Sequence, residues 1–127
     1  MERSIVQTAH APAAIGPYSQ AIEVNGFLFA SGQIPLDPAT GEIVGTTIEE
    51  QAERCCQNVK GILEANGLSF TDVVKTTCFL ADMGDFAAFN AVYAKYFVGK
   101  PARSCVAVKE VPKGVLCEIE IIAVTGK

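Results

Sequence analysis

The chain has 127 residues, which is enough for one domain with a sizeable core and too few for a second. Its formal net charge is −4 and it contains no run of lysines or arginines, so it lacks the basic surface that binds nucleic acid. No stretch approaches the roughly 18 uninterrupted apolar residues of a membrane span, and the N-terminus lacks the apolar core of a signal peptide. We therefore expect one domain over residues 1–127, located in the cytoplasm, with no nucleic-acid or membrane partner.

The composition is unusually apolar. Apolar residues make up 50% of the chain, whereas charged residues make up 19%. An average globular domain carries about 25% charged residues, so this chain has more apolar side chain than one small core requires. We expect the excess to be buried between subunits.

The cysteines favour neither a metal site nor a disulfide framework. They number five, form no C-x-x-C pair, and have His10 as the only histidine of the chain. We expect free and mostly buried thiols, as in a reducing compartment.

The first part of the chain predicts three short strands, at residues 4–8, 18–24 and 26–32. Asn25-Gly26 lies between the last two and is a strong hairpin signal, because both residue types tolerate positive φ. The segment that follows is interpreted as a loop because four turn-forming residues interrupt it: Pro35, Pro38, Gly41 and Gly45.

A first amphipathic helix is predicted over about residues 48–66. Thr47 and Glu50 have the spacing of a capping box, and Asn66-Gly67 supplies a stop signal. The helical spacing of apolar residues defines its buried face: Ile48, Ala52, Cys55, Cys56, Val59, Ile62 and Leu63.

The remaining elements are a strand at residues 72–82, a second helix from about Asp85, and two final strands at 102–110 and 115–124. Asn90 lies on or beside the apolar face of the second helix. That face is formed by Phe86, Phe89, Val92, Tyr93, Tyr96 and Phe97.

The order is therefore three strands, helix, strand, helix and two strands. It predicts an α+β fold in which a mostly antiparallel sheet of about six strands carries both helices on one face. The other face then needs a second cover, and neighbouring subunits are the natural candidate in so apolar a chain.

Side-chain alternation in the last two strands suggests a site. One face of the final strand is apolar, and its other face carries Glu118 and Glu120. If the valines of the preceding strand meet the helices, Arg103 and Cys105 point to the opposite side. We therefore expect a cation and two carboxylates together on the surface away from the helices.

This combination fits a small carboxylic acid attacked by water. A guanidinium binds a carboxylate through two parallel hydrogen bonds, and a nearby carboxylate can orient or deprotonate water. The alternative is a structural ion pair between Arg103 and Glu118 or Glu120, which the pattern alone favours.

Several long segments resemble one known family in order and spacing along almost the whole chain. They are "APAAIGPYSQAI", "ASGQIPLDPATGEI", "VVKTTCFLADMGDFAAFNAVYAKYF", "PARSCVAV" and "EIEIIAV". The chain is similar here to the RidA/YjgF family of imine deaminases. The resemblance implies a homotrimer of chorismate-mutase-like folds with clefts between subunits. It also implies hydrolysis of 2-iminopropanoate and 2-iminobutanoate to 2-keto acids and ammonia, with neither a metal nor an organic cofactor.

The resemblance also implies residue roles. The family's carboxylate-binding arginine falls on Arg103 and its water-positioning glutamate on Glu118. Its cysteine, whose main chain binds the imine, falls on Cys105. The remaining substrate-binding positions of the family match Tyr18, Ser31, Gly32 and Asn90.

Three other functions are alternatives. Some relatives are described as trimers that bind keto acids or protect proteins without turnover, and endoribonuclease activity is reported for others. The acidic charge of this chain argues against RNA as a substrate. A chorismate-mutase-type rearrangement is conceivable on such a fold, but fold alone does not select chemistry.

Overall fold

A computed structural model describes residues 2–126 and contains one six-stranded sheet with two α-helices. The strands are β1 (Arg3–Val6), β2 (Ala21–Val24), β3 (Phe27–Ala30), β4 (Val73–Leu80), β5 (Ala102–Ala107) and β6 (Cys117–Val124). The helices are α1 (Ile48–Ala65) and α2 (Phe86–Tyr96). The predicted order of elements and the α+β class are confirmed. The expected domain bounds include Met1 and Lys127, which lie outside the described residues.

The strand order in the sheet is β1-β2-β3-β6-β4-β5. All neighbouring pairs are antiparallel except β4 and β5, which are parallel. Parallel neighbours need a crossover connection, and α2 provides it between β4 and β5. The last two strands of the chain are consequently not neighbours, since β4 lies between them.

Local sequence signals set the ends of the elements as predicted. Asn25 and Gly26 have φ values of 52° and 81°, which is the left-handed pair that a tight β2–β3 hairpin requires. Thr47 and Glu50 form a reciprocal capping box at the start of α1. Asn66 caps its end, and Gly67 follows with φ 70°.

The core lies between the helices and one face of the sheet. The largest fully buried side chains include Leu28, Ile62, Leu63, Phe89, Ile119 and Ile121. The two helices are also joined at their outer surface, where the Tyr96 hydroxyl contacts the Glu53 carboxylate and accepts a 2.7 Å hydrogen bond from Gln57. This link adds to the core packing of α2 against α1.

All five cysteines are free, as predicted, and all but Cys105 are buried. Cys55 of α1 and Cys117 of β6 touch, with 3.7 Å between their sulfur atoms. Burial raises the pKa of Cys78 to about 12, so this thiol stays protonated near neutral pH. Residues 2–126 contain no group of three His, Cys, Asp or Glu side chains placed to hold a metal ion.

The prediction that Arg103 shares a sheet face with Glu118 and Glu120 is wrong. In the register of the sheet, Arg103 lies beside Thr76, which lies beside the buried Ile121. Arg103 and Cys105 therefore lie on the helix-covered face, opposite the two glutamates. The reason is that β5 is an edge strand over which α2 crosses, so its valine is left on the other side, where Val106 is 46% exposed.

The sheet face without helices is called the open face here. Its part on β1 and β3 is apolar and exposed, since Ile5 is 59% exposed, Phe27 40% and Phe29 44%. A contiguous apolar surface of this kind is typical of an interaction site. No helix within residues 2–126 has the length and apolar character to cross a membrane.

The segment before β2 is fastened to the core by one side chain and one close packing contact. The Gln20 amide donates hydrogen bonds to the carbonyls of Thr8, Ala11 and Pro12. On α1, Gly61 lies against the backbone of His10, so that a methyl group at position 61 would overlap the His10 carbonyl.

Gly61→Ala tests this contact. A glycine-to-alanine change inside a helix ordinarily stabilises a protein by up to about 1 kcal/mol. Here we expect a loss of about 2 kcal/mol in the free energy of unfolding, because backbone must move to admit the methyl group. Urea denaturation measures it, with Gly99→Ala as the matched control. Equal or higher stability in Gly61→Ala would contradict the packing described.

Candidate functional site

The first part of the candidate site is a pocket of about 490 Å³ at the junction of α2 and β5, called the arginine pocket here. Its lining includes Asn90, Tyr93, Phe97, Lys100 and Arg103. The parallel pairing of β5 with β4 places Arg103 under α2, which carries Asn90 and Tyr93.

Arg103 is held by side chains of α2. One of its terminal nitrogens donates a 2.6 Å hydrogen bond to Oδ1 of Asn90. Its guanidinium carbon lies 4.7 Å from the centre of the Tyr93 ring and 5.4 Å from that of Phe86. Within residues 2–126, these partners include no carboxylate, so the cation keeps N–H groups for a ligand.

Tyr93 is itself anchored at both its hydroxyl and its ring. The hydroxyl shares a buried 2.7 Å hydrogen bond with the hydroxyl of Thr76 on β4. The ring stacks on Phe97 with 4.3 Å between centroids and 18° between planes. Burial raises the pKa of Tyr93, so the hydroxyl stays protonated at neutral pH.

Cys105 follows Arg103 on the same strand face and lies beside Cys78 of β4. Burial raises the pKa of its thiol, so the reactive thiolate is disfavoured at neutral pH. This agrees with a packing or main-chain role for Cys105 and not with a nucleophilic one.

The second part of the candidate site is a cavity of about 510 Å³, called the glutamate pocket here. It brings together Tyr18, Ser31, Gly32 and Glu118, which the sequence had proposed, and also Glu120. Further lining comes from Pro12, Ile15 and Lys113.

Glu118 is half-buried in this pocket. Burial raises the pKa of its carboxyl group, and the negative charge of Glu120 raises it further. A carboxylate with a raised pKa is a better proton acceptor than an exposed one.

The loop after β3 forms the wall beside Glu118. Ser31 donates a 2.6 Å hydrogen bond to the carbonyl of Ser19, which ties this loop to the segment before β2. Gly32 leaves the space that the carboxylate occupies, because a methyl group there would overlap it. Tyr18 stands at the mouth of the pocket and is 53% exposed.

The proposed site residues thus fall into two sets that one chain does not bring together. Asn90, Arg103 and Cys105 lie on the helix-covered face, and the other set faces the glutamate pocket. A sheet separates the guanidinium from the Glu118 carboxylate, so the structural ion pair considered above is absent from the described chain.

The sequence reasoning missed Phe86, Tyr93 and Thr76 as neighbours of Arg103. A signal for two of them was present, because Phe86 and Tyr93 lie four residues before and three after Asn90 on one helix face. Both had been interpreted only as core residues. Thr76 gave no such signal.

Comparisons with known proteins agree along nearly the whole chain. A family model described as endoribonuclease L-PSP matches residues 8–125. A RutC family protein of Pyrococcus horikoshii is 54% identical over 122 residues, 95% of this chain and 97% of that protein. The 2-iminobutanoate/2-iminopropanoate deaminase of Mus musculus is 47% identical over 125 residues, 98% of this chain and 93% of that protein.

Solved structures agree as well. YyfA of Yersinia pestis, from the Rid protein family, superposes with a TM-score of 0.94 at 46% identity, covering 97% of this chain and 98% of that one. TdcF of E. coli, crystallised with bound serine, superposes with a TM-score of 0.90 at 46% identity, covering 95% and 98%.

Gly32→Ala is expected to push the Glu118 carboxylate into the open cavity, where water reaches it. The raised pKa of Glu118 should then fall toward its ordinary value, because less burial opposes the charged form. A carboxyl group whose pKa is raised in the folded state stabilises the fold at pH values below its unfolded-state pKa, and this contribution is lost as pH rises through its folded-state pKa. Because Gly32→Ala should bring the pKa of Glu118 closer to its ordinary value, the free energy of unfolding of this variant should vary less with pH than that of the wild type.

Titration of the Glu118 carboxyl carbon by NMR measures the shift, with Gly99→Ala as a control whose added methyl group has ordinary contacts. An unchanged titration curve in Gly32→Ala would contradict the predicted displacement.

Proposed function

Because the chain belongs to the RidA/YjgF family, whose model carries the description endoribonuclease L-PSP, we propose that it hydrolyses small 2-imino acids such as 2-iminopropanoate and 2-iminobutanoate. The products are the 2-keto acids and ammonia. The mouse relative is named for this activity. The observation that carries the proposal is the Arg103 guanidinium, which is fixed by α2 and has N–H groups left for an acid.

The proposed site forms between two copies of the chain in a homotrimer. Arg103, Asn90 and Cys105 come from one subunit, and Glu118, Gly32, Ser31 and Tyr18 come from the next. Two observations support this arrangement. The two sets lie on opposite faces of one sheet, and the apolar open face leaves Phe29 44% exposed until another chain covers it.

Substrate binding in this proposal begins with the carboxylate. Arg103 holds it through in-plane hydrogen bonds, while Asn90 keeps the guanidinium oriented. The ligand of the E. coli relative, serine, also carries a carboxylate on a carbon next to nitrogen. Fixing the acid group places the imine carbon near Glu118 of the neighbouring subunit and reduces the entropy cost of attack.

The chemistry is then a hydrolysis with one proton-transferring residue. Water adds its oxygen to the imine carbon, and Glu118 takes a proton from that water. The product is a carbinolamine. Glu118 returns the proton to nitrogen and then accepts the hydroxyl proton as the C–N bond breaks and the carbonyl forms. The departing ammonia takes up this proton and leaves as ammonium. A protonated imine is already a good electrophile, so the proposal requires no metal and no organic cofactor.

Arg103→Ala tests the carboxylate clamp. We expect kcat/KM for 2-iminobutanoate, generated in situ and followed by semicarbazide trapping, to fall by about 100-fold or more, because a hydrogen bond to a charged group is lost in a partly buried site. Arg54→Ala is the matched control, since its guanidinium lies on α1 and bonds Asn58. Full activity of Arg103→Ala would refute the proposed catalysis.

Mixing two inactive variants tests the shared site. Arg103→Ala and Glu118→Ala subunits are unfolded together at equal amounts and refolded. A site between chains then combines an intact Arg103 with an intact Glu118 in about a quarter of cases, so about a quarter of the wild-type activity should return. Each variant refolded alone is the control. If one chain held the whole site, the mixture would stay inactive.

A further inference from the structure

We propose that Tyr93, fixed by its hydrogen bond to Thr76, is a positioning residue that orients Arg103 for the substrate carboxylate. This inference rests on the proposed function and adds to it residues that act on substrate only through the guanidinium.

A guanidinium binds a carboxylate in a defined direction. Its N–H groups lie in the plane of the group, so a carboxylate approaches the edge and leaves the two faces free. Aromatic rings prefer to pack against one of these two faces of the guanidinium. In this pocket the Tyr93 ring lies 4.7 Å and the Phe86 ring 5.4 Å from the guanidinium carbon of Arg103. The rings therefore restrict its tilt without competing for the edge.

The hydrogen bond to Asn90 alone leaves the guanidinium of Arg103 free to rotate. A single hydrogen bond, from a terminal nitrogen of Arg103 to Oδ1 of Asn90, fixes one point of the group but allows rotation about that bond. A ring against the guanidinium removes this rotation. The combination of Asn90 and Tyr93 thus sets both the position and the plane of the donor edge.

The ring can act in this way only if it is itself immobile. Its hydroxyl is bonded at 2.7 Å to Thr76, which lies directly beside Arg103 in the parallel register of β4 and β5. Its plane is stacked on Phe97 at 4.3 Å. Thr76 on β4, the strand next to β5, therefore supports the guanidinium of Arg103 through the Tyr93 ring.

A purely structural role accounts poorly for the buried hydroxyl pair. Replacing both partners of a buried hydrogen bond by apolar groups of similar shape is close to neutral for stability. In Thr76→Val and Tyr93→Phe, the new side chains would fill the same space within the core. What they would remove is the anchor that stops the ring from shifting beside Arg103.

The variants Tyr93→Phe, Thr76→Val and the double Thr76→Val/Tyr93→Phe test the anchor, and Tyr93→Leu tests the ring. A carboxylate contact present in both the ground state and the transition state affects KM more than kcat. We expect KM for 2-iminobutanoate to rise about threefold in the single anchor variants and about tenfold in Tyr93→Leu, with kcat changed less. The double variant should resemble the single ones, because all three break the same bond.

Tyr96→Phe is the matched control. It removes the other tyrosine hydroxyl of α2, which contacts Glu53 and Gln57 away from the arginine pocket. We expect its KM to equal that of the wild type. The Arg103 Nε–H resonance, observed by NMR during titration with 2-oxobutanoate, gives a readout independent of turnover. It should broaden and shift in the anchor variants and stay unchanged in Tyr96→Phe.

The outcomes separate the two proposals. If Arg103→Ala loses activity while Tyr93→Phe and the double variant keep the wild-type KM and Arg103 resonance, the positioning role is refuted and the deaminase proposal stands. If Arg103→Ala is fully active, the deaminase proposal itself fails. Should Tyr93→Leu fold poorly by circular dichroism, the double variant decides, since it keeps both ring and core volume.

Discussion

The contact between Arg103 and the apolar face of α2 is the constraint on which the site depends. A guanidinium under a helix would ordinarily find an acidic partner, yet within residues 2–126 Arg103 contacts an amide and two aromatic rings. The helix reaches this position because it connects two parallel strands and must cross the edge strand to do so. The topology therefore creates the pocket, and α2 supplies its side chains.

The other part of the site depends on a different constraint, the small size of one residue. Glu118 occupies space that Gly32 leaves empty, and its carboxyl group is half-buried for that reason. The loop that carries Gly32 is held by Ser31 and by the Gln20-bonded segment before β2. Each part is thus rigid within its own chain, although only an assembly would place them together. In the proposed homotrimer, the apolar open face is the surface through which the two parts would meet.

The sequence was informative wherever one local signal determines the structure. The capping box at Thr47 and Glu50 and the Asn25-Gly26 turn were predictable because each depends on neighbours within a few residues. Alternation in β6 correctly separated Glu118 from the buried isoleucines. Alternation in β5 correctly separated Arg103 and Cys105 from Val106, but it did not show which of these two sets faces the helices. That choice depended on β4 lying between β5 and β6, which is a long-range property.

The cysteine arrangement has a practical consequence. Four thiols are closed off in the core, whereas Cys105 is partly accessible and lies two residues from Arg103. In a single chain, Cys105 is therefore the thiol that a maleimide dye reaches first. Its raised pKa makes the reaction slow near neutral pH and faster in mild alkali. The attached dye would lie two residues along β5 from Arg103.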